Sequence, residues 1–240
     1  MGKTITLTEA GEALLHHAQV GFQELAAARE KIEKLKSWGS RRLRVGASPL
    51  VNRRILPGVL MKLRCQHPRL IVTVKTVHPL SQTDQLQNDE LDFVFSEDQP
   101  PHAEVEFTSL FESPLEVVVP PAHRWLRQNQ IPRGELFSEP CVLPERYSPT
   151  RKLIDAYFSR EKKSFNSVME VENLETIREM VKAGIGISIL PAWVFQDDQR
   201  LGTLHAFALG RRKLSLAWGL HRSRNKPADL IQSDFRILCV

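Results

Sequence analysis

Residues 172–191 read ENLETIREMVKAGIGISILP, and the reading of this stretch decides the fold. Asn173 is a residue type that caps helices, Leu174 to Ala183 follow as the helix, and Gly184 stops it in the left-handed conformation that glycine tolerates. Ile185 to Leu190 is then a short apolar run of the kind buried as a strand. Outward from this unit, Cys141 to Leu143 reads as a strand, Thr150 to Ser159 as a helix and Ser167 to Val171 as a strand, which completes a β-α-β-α-β order. The same order stands upstream: strand Leu43 to Ala47, helix Ile55 to Cys65, strand Leu70 to Val77, helix Gln82 to Gln87 and strand Leu91 to Phe95. Alternation of this kind predicts an α/β protein with parallel strands. Leu115 to Val119, followed by Pro120 and Pro121, and Leu214 to Leu220, ahead of a final helix near Ala228 to Leu238, read as strands crossing between the halves. Two similar halves joined by paired strands make a hinge with a cleft, and open sheets place ligands beyond the carboxyl ends of their strands.

The 240 residues are 42% hydrophobic, 25% charged and 7% aromatic, which excludes collagen-like, mucin-like and wholly disordered chains. Thirty-three Lys and Arg against 28 Asp and Glu give a net charge of +5, a modest excess that decides nothing alone. Cys65, Cys141 and Cys239 are odd in number and widely separated, so neither a disulfide framework nor a zinc site is indicated and a reducing cytosol is the simplest compartment. No apolar run is long enough to cross a bilayer, and MGKTITLTEAGE has no apolar signal core. The Lys- and Arg-rich stretch from Arg211 to Lys226 reads as a solvated rim.

Enzyme signatures fail when tested. There is no Gly-x-Ser-x-Gly elbow, no phosphate loop and no His-Glu-x-x-His helix, and Gly184-Ile185-Gly186 follows a helix and opens a strand, the reverse of a dinucleotide fingerprint. The eight histidines show no metal-ligand spacing, so neither a metal nor a cofactor is expected. What remains are loops at strand ends. Ser48 follows the first strand, Ser148 stands before Pro149 at the start of a helix, and Asn173 opens the next. Each alone reads as a plain N-cap, whereas helix starts converging on a cleft make an anion site. Arg53 and Arg54 lie close enough in sequence to the first loop to add long-range attraction.

Ahead of the α/β halves, residues 8–36 contain no proline and read as one long helix, with Thr8 as its N-cap. Leu14, Ala18, Gly21, Leu25, Ala28, Ile32 and Leu35 are separated by alternating steps of four and three, the seam of a coiled coil, and predict a partner helix.

These residues carry a family resemblance. Thr6-Leu7-Thr8-Glu9-Ala10-Gly11-Glu12-Ala13-Leu14-Leu15 resembles the end of the DNA-binding wing and the start of the linker helix in LysR-type transcriptional regulators. Leu43-Arg44-Val45-Gly46-Ala47 with Leu56-Pro57 resembles the start of that family's effector-binding domain. Asp89-Glu90-Leu91-Asp92 is similar to its Gly-Glu-Leu-Asp pattern, with Asp89 in place of the glycine. Leu115 to His123 resembles the hinge strand, and the opening stretch 172–191 resembles the family's second-half motif.

The resemblance implies two Rossmann-like subdomains with a hinge and central cleft, similar to periplasmic binding proteins, preceded by a long linker helix. The expected division is 1–7 for a remnant of the DNA-binding wing, 8–38 for the linker and dimerisation helix, and 41–240 for the effector-binding domain. Within it, subdomain I would hold 41–113 and 219–240 and subdomain II 114–218. The sequence begins at what resembles the wing's last strand, so the winged helix-turn-helix is expected to be missing from it, and with it sequence-specific DNA binding. Effector contacts implied by the resemblance are Ser48 and Leu50 after the first strand, Ser96 after the third, Tyr147 and Ser148 in the second half, and Asn173. The implied partners are a small-molecule effector, read as a carboxylate, a homodimer or homotetramer, DNA through the absent domain, and RNA polymerase. A periplasmic-type solute-binding protein is the competing reading, disfavoured by the missing export signal and the seam, and a cytosolic enzyme is a third.

Overall fold

The computed structural model describes residues 8, 10–11, 14–15, 17–22, 24–25, 27, 42–99, 102–132, 134–161, 163–210, 213–226 and 229–239. The chain divides into an N-terminal unit reaching Arg42 and an α/β body that takes up almost everything from Leu43 onward. In the N-terminal unit the described residues from 10 to 27 are helical, and Thr8 Oγ1 accepts from the Gly11 N–H at 3.2 Å, as an N-cap does. Leu14 and Leu25 of the seam are 71% and 66% exposed. Ala28, Ile32 and Leu35 lie outside the described residues.

The body opens with β1 (Arg42–Ala47), α1 (Pro49–Arg54), α2 (Leu56–Gln66), β2 (Ile71–Thr76), α3 (Gln82–Gln87) and β3 (Phe93–Glu97). The long strand β4 (Val105–Val119) leads through α4 (Trp125–Gln128) to β5 (Pro140–Pro144), α5 (Pro149–Phe158), β6 (Asn166–Val171) and α6 (Leu174–Lys182). After these come β7 (Ser188–Pro191), α7 (Ala192–Leu201), β8 (His205–Ala208), β9 (Ser215–Ser223) and α8 (Leu230–Leu238). The main sheet runs β2-β1-β3-β9-β4-β7, with β8 also on β4. The parallel expectation holds inside each half, where β1 pairs with β3 and β5 with β6, but the joining strands are antiparallel and the sheet is mixed.

The joining strands are longer than their apolar cores suggested. β4 begins at Val105, not Leu115, because Val105–Pro114 pairs with β9 while Leu115–Val119 pairs with β7 and β8. Its first part alternates around half-buried Glu106 and Thr108 and exposed Glu112, polar residues that hid the strand from a search for apolar runs. The loop expected after β1 is itself the short helix α1, and α7 and β8 were not anticipated from the sequence. Gly184, at φ +79°, ends α6 as expected.

Two lobes result, each with its own core. In the first, Phe93 and Phe235 pack at 5.4 Å between β3 and α8, with Leu43, Leu56 and Leu63 buried. In the second, Trp125, Leu143, Ile154 and Ile189 form one cluster with Val117 and Val119 from the far end of β4. β5 reaches this sheet through Ile187, whose N–H donates to Pro140 O at 2.8 Å and whose carbonyl accepts from Val142 N at 2.9 Å.

Candidate functional site

A cavity of about 210 Å³ opens where the carboxyl ends of β1 and β3 face the starts of α5 and α6. The first lobe contributes Ser48, Pro49, Leu50, Val77, Pro79, Gln82, Ser96, Glu97 and Gln99, the second Ser148, Glu172, Asn173 and Leu174, and β9 contributes Trp218. Five of the six expected effector residues, Ser48, Leu50, Ser96, Ser148 and Asn173, are therefore brought together. Tyr147 is not in the lining; its ring is half exposed, 6.4 Å from that of His78.

Local chemistry places the three loop residues. Ser48 adopts extended backbone before Pro49, and its Oγ accepts from Val51 N at 3.4 Å. Ser148 does the same before Pro149, accepting from Arg151 N at 3.0 Å, and Asn173 Oδ1 accepts from Glu175 N at 2.8 Å. Each side chain thus satisfies one N–H in the first turn of a helix while its residue lines the cavity. Ser96 donates to Gln82 Oε1 at 2.9 Å, both being buried, which fixes the floor.

Four lining residues that carry the site's polarity, Gln82, Glu97, Gln99 and Trp218, were missed from sequence. Glu97 ends β3, and its carboxylate crosses to the second lobe, where it accepts from Thr150 Oγ1 at 2.8 Å and Thr150 N at 3.3 Å. Burial pushes its carboxyl up to about 7, and the two bonds from Thr150 only partly oppose this. Beside it, His221 is buried and its pKa is lowered by that burial, so the neutral ring donates through Nε2 to the Glu97 carbonyl at 3.0 Å. Gln99 Nε2 and Trp218 Nε1 are buried donors without a hydrogen-bond acceptor. An acid two residues after the apolar run Phe93-Val94-Phe95, following Ser96, was the one local signal available for Glu97.

Arg53 and Arg54 turn from the cavity to the second lobe's helices. Arg53 pairs with Glu175, while Arg54 donates to Trp193 O at 2.8 Å and to Asp197 at 3.0 Å. His78 Nε2 stands 3.6 Å from Glu172 at the rim. Among the described residues no group of His, Cys, Asp or Glu could hold a metal ion, and no helix is long and apolar enough to cross a membrane. Burial pushes the Cys141 thiol up to about 12, which leaves it inert as a nucleophile.

A sequence model of the LysR substrate binding domain matches residues 39–239. The chain belongs to that family. It carries the effector-binding domain of a LysR-type transcriptional regulator, and the solute-binding-protein reading is not favoured. The RuBisCO operon transcriptional regulator of Allochromatium vinosum is 26% identical over 239 residues, covering 98% of this chain and 78% of its own length. Among solved structures, the Synechocystis PCC6803 CcmR regulatory domain in complex with 2-PG superposes with a TM-score of 0.72 at 20% identity, covering 82% of this chain and 95% of that one. The effector binding domain of QuiR in complex with shikimate gives 0.71 at 16% identity, covering 84% and 96%. At these identities the structural likenesses carry the fold, and the relative is a transcriptional regulator rather than an enzyme.

Proposed function

We propose that this chain senses a small organic anion, a carboxylate, in the cavity between its lobes, and that the bound effector alters the geometry of a dimeric or tetrameric DNA-binding regulator acting in the cytoplasm. The observation that carries the reading is the pair of buried, unpartnered donors, Gln99 Nε2 and Trp218 Nε1, in the same lining as the capped starts of α5 and α6. An orphaned buried donor costs about 1–3 kcal/mol, which an acceptor-bearing ligand recovers. Ser48, Ser96, Ser148 and Asn173 supply further polar contacts, Leu50 meets the apolar body, and Tyr147 guards the mouth. The ligands in the CcmR and QuiR complexes, 2-PG and shikimate, support a small-molecule effector.

Subdomain I is assigned to 41–113 with 219–240 and subdomain II to 114–218, and the linker seam is assigned to subunit association. Exposed Leu14 and Leu25 support that assignment, and the exposed strands β2 and β6 of the body offer a separate surface for association. DNA contact belongs to the helix-turn-helix of such regulators, and RNA polymerase is the partner through which activation would be read out.

Calorimetry with a panel of small carboxylates against their matched neutral amides tests the site. Tighter binding of the acids, weakened by Trp218→Phe and by Ser48→Ala, supports it. Equal or tighter binding of the amides overturns the anion class, and unchanged affinity in both variants moves the site elsewhere.

A further inference from the structure

The charge of the cavity wall narrows the ligand beyond an anion. Among the described residues no Lys or Arg lines the cavity, and its two ionisable side chains are both acids, Glu97 and Glu172. The nearest arginines on α1 are engaged with Glu175, Asp197 and the Trp193 carbonyl. A bare carboxylate entering this space would meet Glu97 at close range with no cation to offset the repulsion. The Glu97 carboxylate accepts two hydrogen bonds from Thr150, while a carboxylate has about four acceptor positions, and the residue lines the cavity.

Resting on the reading of the cavity as an effector site, we propose that Glu97 is a specificity-determining residue that accepts from an O–H or N–H donor on the effector, so that the ligand is a carboxylate with a hydroxyl or ammonium group beside it. The acid end lies toward Gln99 Nε2, Trp218 Nε1 and the helix starts, and the donor end lies toward Glu97. Serine and amide groups at Ser48, Gln82, Ser96 and Ser148 suit such a polyfunctional ligand better than a hydrocarbon acid. The groups facing Glu97 are Thr150 from α5, the neutral His221 ring from β9, whose bond goes to the Glu97 main chain, neighbouring Asp98, and Glu172 across the cavity. None supplies the missing positive charge.

The test uses the full chain and sets of acids sharing one skeleton: butanoate, 2-hydroxybutanoate and 2-aminobutanoate, with the five- and six-carbon sets, each beside its amide. Thermal shifts followed by calorimetry at about pH 8 keep Glu97 ionised. A donor-bearing acid should bind wild type about tenfold or more tightly than the plain acid, as a hydrogen bond to a charged group supplies. That gap should close in Glu97→Gln, whose affinity for the plain acid should rise. Acids that bind better than amides but without regard to the donor overturn this inference and leave the anion site standing. Amides binding as well as acids, or no binding by either protein, overturns both.

Discussion

The Glu97 carboxylate of β3 accepts from both the hydroxyl and the backbone N–H of Thr150, so the end of a strand in one lobe is tied to the first turn of a helix in the other. Helix starts favour an anion in that position, yet burial opposes the charge and raises the carboxyl to about 7 from 4.5. Because the folded state holds this proton more tightly than the unfolded state, the stabilisation is fully present below pH 4.5 and is lost as pH rises through 7. Glu97→Gln, which keeps an acceptor for Thr150, should therefore be more stable than wild type at pH 8 by about 1–3 kcal/mol, and the advantage should shrink steadily toward pH 4.5. Urea unfolding across that range reads it. A difference independent of pH would show that Glu97 does not titrate there.

Arg54 is a further tie between the lobes, beside the Arg53–Glu175 pair. Its guanidinium donates to Trp193 O at 2.8 Å and to Asp197 at 3.0 Å, and the Arg side chain is 18% exposed while that of Asp197 is 53% exposed. Solvent screens the ion pair far more than the bond to the carbonyl. Arg54→Ala should cost about 1–2 kcal/mol and Asp197→Ala less than about 1 kcal/mol. Equal losses in chemical denaturation would place the energy in the ion pair instead.

How much of this was legible in the chain follows from the range of each interaction. Ser148 before Pro149, Asn173 before its helix and Gly184 after it act within three residues, and each sits in the structure where its side-chain chemistry put it. Glu97 and Trp218 face each other across the β3–β9 register although 121 positions separate them, and that pairing has no local signature. The antiparallel character of the joining strands was hidden for the same reason: apolar periodicity marks a strand but says nothing of its neighbour's direction. The first part of β4 escaped notice because Glu106, Thr108 and Glu112 break its apolar run, while its pairing with β9 supplies the hydrogen bonds.

β9 runs close against β4 at Gly219. A Cβ built there would stand 2.0 Å from Thr108 O and 2.9 Å from Phe107 Cε2, next to the register shift between Ser109 and Phe111. The backbone carbonyl cannot retreat without breaking the strand pairing, so Gly219→Ala should cost at least about 1–3 kcal/mol. Gly58 offers the contrast: it lies exposed in α2 with nothing within 4 Å of its added Cβ, and Gly58→Ala should gain about 0.4–1 kcal/mol. Melting temperatures that fall for both variants would mean that α2, too, makes a contact through its first turn.

The linker seam predicts association. Leu14 and Leu25 are 71% and 66% exposed on a helix whose Thr8 cap fixes its start, and Ala18 and Gly21 between them would let a second backbone approach closely. Apolar side chains at this spacing gain from water exclusion only when another helix covers them, each contributing about 1.5–3 kcal/mol when fully buried. Light scattering at tens of micromolar should therefore give a mass of two chains or more, and Leu25→Asp should reduce it by placing an unpaired charge in the seam. A lysine or glutamate at exposed Gln19, off the seam, should leave the mass unchanged. A monomeric wild type would overturn association itself, whereas a Leu25→Asp variant that associates as well as wild type would remove the helix from the interface and leave the exposed strands β2 and β6 as the surfaces to test.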